Sequence, residues 1–155
     1  ERYKLNEVKQ NKEKYSIVYH NEKFQLFQNN MALPRAAVFF DYEITTDEKE
    51  IIKRFYSEDF DFRKKIILEE DPKLRSSIEG QGTAVIVSYK SNHVIIEVGM
   101  SQPGLLFLAD NYYPGWNVYV NGSQTKIYRA NYTFRAVAVP AGESKVEFAY
   151  ENWPL

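Results

Sequence analysis

Between positions 110 and 135 the chain gathers side chains able to grip a polyol: Asp110-Asn111-Tyr112-Tyr113-Pro114-Gly115-Trp116, followed by Arg129, Asn131, Tyr132 and Arg135. Aromatic faces stack on the apolar face of a sugar ring, while carboxylate, amide and guanidinium groups satisfy its hydroxyls in pairs. The ligand-binding residues expected of such a surface are Asp110, Tyr112, Tyr113, Trp116, Arg129, Asn131 and Arg135. The same residues also admit a structural reading, because large aromatics are mostly core residues. In that reading Pro114-Gly115 makes a corner, Trp116 plugs the core, and Asp110 pairs across strands with Arg129 or Arg135. Exposure of Trp116 and the two tyrosines decides between them.

Other chemistries find little support. The two histidines, His20 and His93, fall at predicted turns with no partner at ligand spacing, so both read as solvated imidazoles and no metal site is expected. Calcium at Asp110 would rest on one carboxylate. Asp59 and Asp61 flank a turn, Glu69-Glu70-Asp71 is a solvated charge run, and Glu97, Glu143 and Glu147 read as exposed. That leaves no facing carboxylate pair of the kind glycosidases use. G-x-S-x-G, P-loop and Ser/His/Asp sets are missing, so no catalytic residue and no cofactor is expected. A formal charge of −1 lacks the basic footprint that nucleic acid needs. Asn121-Gly122-Ser123 and Asn131-Tyr132-Thr133 match the glycosylation sequon, which has meaning only on a eukaryotic secretory route.

These residues need elements to hold them. Of the 41 charged residues, 31 lie in positions 1–82 and 10 in 83–155, while the second part is rich in Val, Ile, Tyr and Phe. Alternation predicts a strand over 83–89, with Val85, Val87 and Tyr89 on one face, and another carrying Val94, Ile96 and Val98. Leu105–Ala109, apolar on both faces, reads as a central strand. Trp116, Val118 and Val120 share a face ahead of Asn121-Gly122, the strongest short hairpin signal, and Thr125–Tyr128 returns. Phe134–Val139 and Lys145–Tyr150 are expected to pair about Pro140–Glu143, with Val146, Phe148 and Tyr150 inward.

Upstream, Tyr15–Tyr19 and Phe24–Phe27 flank a polar turn and read as a hairpin, and Arg35–Tyr42 reads as one strand. Thr46–Tyr56 predicts the one helix, capped by Thr45 or Thr46, with acids in its first turn and Lys53-Arg54 in its last. Its apolar stripe is Ile51, Ile52 and Phe55. A short strand is expected at Lys65–Leu68. Residues 1–14 read as a frayed lead-in and 70–82 as a flexible connection. Short strands at this spacing predict a mostly β chain: one antiparallel β-sandwich over 1–155, jelly-roll or galactose-binding-like, with a short helix near 46–56. No apolar run approaches the roughly 20 residues of a membrane span. A start at Glu1 rather than Met suggests a piece of a longer protein.

The strings LADNYYPGWNVYVNG and IYRANYTFRAVAVPAGESKVEFAY, with FQNNMALPRAAVFF and DFDFRKKIILEE upstream, resemble the C-terminal soluble region of YfhO-type bacterial membrane proteins. Three separated blocks agree in order from about Phe24 to Tyr150. The chain departs from that pattern at Ala109 (usually Ser), Asn121 (usually Asp) and Ser144 (usually His). The resemblance implies a multi-spanning parent acting as a polyprenyl-phosphate-sugar-dependent glycosyltransferase. Its chemistry would lie in the membrane part, and this domain on the extracytoplasmic face of the bacterial membrane. The implied partners are a glycan or cell-wall polymer and the membrane-spanning portion of the parent chain. Glu151–Leu155 would then approach a last membrane helix, with Trp153 near the interface. Two functions stay open: a non-catalytic module that binds or positions a glycan acceptor, or a structural or protein-interaction module with no ligand of its own.

Overall fold

The computed structural model describes residues 12–75 and 79–151. The described residues form two compact units, one ending at Pro34 and one beginning at Arg35. Most of the expected lead-in, all of 152–155 and part of the expected flexible connection lie outside the described residues.

The first unit is a hairpin of β1 (Tyr15–His20) and β2 (Gln25–Asn29). Asn21 makes its turn: the side-chain oxygen accepts from the Lys23 and Phe24 amides at 2.9 and 3.0 Å, an Asx arrangement that short polar residues favour.

The second unit is mostly β and antiparallel, as the alternation predicts. Its strands are β3 (Ala36–Phe39), β4 (Asp41–Ile44), β5 (Lys65–Leu68), β6 (Gly82–Lys90), β7 (His93–Met100), β8 (Gly104–Leu108), β9 (Trp116–Val120), β10 (Ser123–Thr125), β11 (Tyr128–Ala130), β12 (Phe134–Val139) and β13 (Gly142–Tyr150). They build a five-stranded sheet in the order β10-β9-β13-β7-β6 and a six-stranded sheet in the order β3-β8-β12-β11-β5-β4. Among the described residues, only β4 and β5 run parallel.

The two sheets meet over one core. Val94, Ile96 and Val98 of β7, Val118 of β9, and Val146 and Phe148 of β13 pack against Leu106 and Leu108 of β8 and Val137 and Val139 of β12. Every second residue of each strand therefore faces in, which is the period-2 rule of a pleated sheet. β8 is buried along its whole length, as expected of a central strand. The opposite face of the six-stranded sheet carries a second cluster including Phe39, Ile66, Leu68, Leu105 and Phe107. Leu74 packs on that cluster, and the Tyr42 hydroxyl donates to the Leu74 carbonyl at 2.6 Å. The described part of the expected flexible connection is therefore tied down there.

Helix α1 spans Glu48–Phe55 and starts at Asp47, not at Thr45 or Thr46. The Asp47 carboxylate accepts from the Lys49 and Glu50 amides, which a threonine hydroxyl would do more weakly. Ile51 is fully buried and packs with Phe60 and Ile67, while Ile52 turns outward. Arg54 locks the helix to β4 through a two-pronged pair with Glu43 (2.7 and 2.8 Å) and also reaches Asp59.

Three expectations change. Arg35–Tyr42 is two strands at opposite edges of one sheet, because the buried Phe40 breaks the run between them. A Cβ on Gly80 would lie 2.1 Å from the Phe40 ring, and one on Gly104 2.8 Å, so glycine makes room for that break. β12 and β13 do not pair with each other; Pro140–Gly142 carries the chain from one sheet to the other. The return after Asn121-Gly122 likewise splits, β10 pairing with β9 and β11 joining the opposite sheet. The hairpin turn itself forms as expected, with φ of +51° and +81°.

Candidate functional site

At one end of the sandwich lies an open cleft of about 510 Å³. It is lined from five strand ends: Tyr89 of β6, Asp110 and Asn111 after β8, Tyr113 and Trp116 at the start of β9, Arg135 of β12 and Tyr150 of β13. Converging strand ends and their loops are where a rigid sandwich can hold polar groups without opening its core.

Arg135 is the centre of the site. Its position on β12 points it at the inter-sheet layer, where it is only 4% exposed. The guanidinium lies over the Trp116 ring at 4.0 Å and near the Phe148 ring at 5.8 Å. Nε donates to the Asn111 carbonyl at 2.9 Å, Nη2 stands 3.9 Å from Asp110, and Nη1 is buried without a hydrogen-bond partner. Burial pushes the Arg135 pKa below the ordinary arginine value, and the Asp110 charge opposes that shift. A buried guanidinium with an unused donor is costly and is therefore a feature that asks for a partner.

Asp110 is held from three sides. Arg35 Nη1 donates to Oδ1 at 2.7 Å, the Tyr89 hydroxyl bonds the carboxylate at 2.9 and 3.1 Å, and Arg135 lies behind. Arg35 also stacks over the Tyr89 ring at 5.0 Å and donates to its hydroxyl at 2.8 Å. Tyr89 loses its proton less readily than an ordinary tyrosine, first through burial and then through its bond to Asp110. With its oxygens so engaged, Asp110 is a poor calcium ligand. Among the described residues no three His, Cys, Asp or Glu side chains converge as a metal site would require.

Tyr89 reaches Asp110 because of a bulge. The register of β6 on β7 shifts between Ile86 and Ser88, so Val87 is the extra residue. Ala84 and Ile86 stand opposite Val98 and Ile96; past the bulge Tyr89 stands opposite Val94, also a core residue. Tyr89 thus faces in, where strict alternation would have placed it with Val85 and Val87. Bulges commonly re-aim a side chain in this way.

The 109–115 loop is fixed by its backbone: the Ala109 amide donates to Arg35 O at 2.8 Å, Tyr112 N to Thr133 O at 2.6 Å, and Glu151 N to Gly115 O at 2.9 Å. Gly115 has φ of +94°, and a Cβ there would lie 2.8 Å from the Tyr150 ring. That ring packs on Trp116 at 5.5 Å. Trp116 is half-buried, with its body against the core, while Tyr112 and Tyr113 are 43% and 63% exposed.

Of the seven expected binding residues, the fold brings Asp110, Tyr113, Trp116 and Arg135 to the cleft. Tyr112 is exposed in the same loop, outside the cleft lining. Arg129 pairs with Glu69 at 3.4 Å and stacks on Tyr132 at 5.3 Å, so the structural pairing of Asp110 falls to Arg35 and Arg135 instead. Asn131, at φ +48°, accepts from the Ile67 amide at 2.8 Å and stitches the loop after β11 to β5. Tyr89 and Tyr150 line the cleft and Arg35 braces its Asp110 and Tyr89 from outside the lining; sequence reading assigned none of the three to the site. His93 is not solvated as expected: its Nε2 meets Glu147 at 2.7 Å, and that bond, with Lys145, holds Glu147 below the usual carboxylate range.

An antiparallel β-sandwich with an aromatic, arginine-centred cleft at one end defines the class of module. Its sequence from 75 to 155 matches the family described as bacterial membrane protein YfhO, and the chain belongs to that family. The match takes in every cleft-lining residue named above, and leaves out Arg35, which braces Asp110. Comparison with curated proteins and with solved structures finds no match. Among the described residues no helix is long and apolar enough to cross a membrane. Asn121 Nδ2 donates to the buried Ser144 hydroxyl at 3.2 Å, a neutral pair between the β9–β10 turn and β13.

Proposed function

We propose that this sandwich is a non-catalytic, extracytoplasmic module that binds or positions a glycan or cell-wall polymer for its membrane-embedded parent, a polyprenyl-phosphate-sugar-dependent glycosyltransferase. One observation carries the reading: the cleft sets the exposed Tyr113 and the rings of Trp116 and Tyr150 beside a fixed carboxylate and a buried guanidinium with a donor to spare. Rings offer a stacking platform, and the Asp110–Asn111–Arg135 group offers paired donors and acceptors to hydroxyls. The cleft holds one carboxylate, already bonded to Arg35 and Tyr89, which suits orientation of a ligand better than proton transfer.

A second reading, a structural or protein-interaction module without a ligand, is favoured by the mutual bonding of Asp110, Arg35 and Tyr89, which could serve only to close the sandwich end. An array of bacterial wall glycans separates the two. The binding reading expects selective retention of the chain on a subset of glycans, reduced roughly tenfold in Tyr113→Ala, since an aromatic contact contributes on the order of 1 kcal/mol or more. Equal binding by Tyr113→Ala, or none by either protein, favours the interaction module.

A further inference from the structure

Charge in the cleft narrows the kind of sugar it takes. The lining carries Lys90 and Arg135 against Asp110, and among the described residues no second acid lines it. Asp110 already answers another cation, Arg35, at 2.7 Å, and accepts from the Tyr89 hydroxyl as well. Lys90, Arg35 and Arg135 therefore stand against one carboxylate. Glu151, whose amide donates to Gly115 O, turns its carboxylate to the Tyr119 hydroxyl at 3.4 Å, outside the lining. A neutral sugar leaves that excess of positive charge unanswered, whereas an acidic one meets it.

Arg135 says where the acid belongs. Of its three nitrogens only Nε makes a hydrogen bond, to the Asn111 carbonyl; Nη2 stands 3.9 Å from Asp110, beyond hydrogen-bonding range, and Nη1 has no partner. The Nη1–Nη2 edge is a fork matched to the two oxygens of a planar carboxylate. The same guanidinium lies 4.0 Å over the Trp116 ring, and the exposed Tyr113 lines the same cleft. Cation and aromatic rings are so close that a single sugar residue has to meet both. We infer that the cleft takes a hexuronic acid residue, its ring against the aromatic side chains and its carboxylate on Arg135, with Lys90 adding to the attraction. A pyranose with a carboxylate on C5 joins stacking face and charge in one rigid unit. A polyol phosphate carries the charge but offers no ring to stack. The inference rests on the glycan reading above and narrows it.

Three immobilised probes test it on the full chain: oligosaccharides bearing glucuronic acid, the same oligosaccharides with each carboxyl reduced to the alcohol, and glycerol phosphate oligomers. Retention on the glucuronate form is expected to exceed that on the reduced form roughly tenfold, as a charge-assisted hydrogen-bond pair would give. The glycerol phosphate oligomers should be held no better than the reduced form. Arg135→Met, which keeps the bulk, should bring glucuronate retention down to the reduced level. Lys90→Gln, an exposed substitution that leaves the core intact, should lower it severalfold. Equal retention of glucuronate and reduced forms overturns the inference while leaving the glycan reading in place. Glycerol phosphate held as well as glucuronate overturns it too, since charge alone would then suffice, and so does an unchanged preference in Arg135→Met. Retention on no glycan at all overturns both readings together.

Discussion

Two arginines sit at different places in this sandwich and do opposite things. Arg54, on α1, is about a quarter exposed and engaged at every nitrogen: Glu43 accepts from Nε and Nη2, and Asp59 and Ser57 accept from Nη1. Arg135 is almost completely buried, stands 3.9 Å from its carboxylate, and keeps one nitrogen without a partner. A saturated, partly solvated network is a fastening between helix and sheet, and solvent limits its strength. A buried cation with an unused donor beside an open cleft is poor fastening. Such a group is complete only when something in the cleft bonds it.

Replacing each arginine sharpens that contrast. Arg135→Ala removes a buried cation, its stacking on Trp116 and the backing of Asp110, and is expected to cost about 3 kcal/mol in urea unfolding. Arg135→Met, which keeps the bulk, should recover much of that stability without recovering glycan binding. Gly115→Ala comes next, at about 2 kcal/mol, because it combines a left-handed backbone with displacement of the Tyr150 ring. It should weaken binding through the cleft while leaving α1 unaffected. At the other end of the scale, Asp47→Ala should cost about 1 kcal/mol, Arg54→Ala should lower the urea midpoint slightly, and both should leave binding unchanged.

The smallest effect is a pH dependence to which the fastening contributes. Bonds from Arg54, and then from Lys65, hold the Glu43 carboxyl below its ordinary range. A depressed folded-state value means the stabilisation is complete above the unfolded value and disappears as pH falls through the folded one. Wild-type stability should therefore drop between about pH 5 and pH 3, and that drop should be shallower in Arg54→Ala.

Much of this architecture is legible in the residues. Alternating Val94, Ile96 and Val98, the apolar run of β8 and the Asn121-Gly122 turn each dictate one local geometry, and each appears as read. α1 is legible too, offset at its start because Asp47 out-competes its neighbouring threonines as a cap. What cannot be read is set by distant partners. Phe40 splits an apparently continuous strand because two glycines far along the chain admit its ring. Pro140–Gly142 uses residues that suit a hairpin and a sheet-to-sheet corner equally well. At the cleft, Asp110, Tyr113, Trp116 and Arg135 are adjacent enough in sequence to be grouped by chemistry. Arg35 and Tyr89 are not, since one lies 75 residues from Asp110 and the other depends on a single extra residue in β6.

The most direct test is NMR observation of the Arg135 Nε–H and the Trp116 indole N–H during titration with a wall glycan retained on the array. If the cleft completes Arg135 with a ligand, both resonances shift together, with Asn111 and Tyr113, while Arg54 Nε–H and the amides of Arg129 and Asn131 stay in place. Binding that leaves Arg135 and Trp116 unmoved would contradict the account.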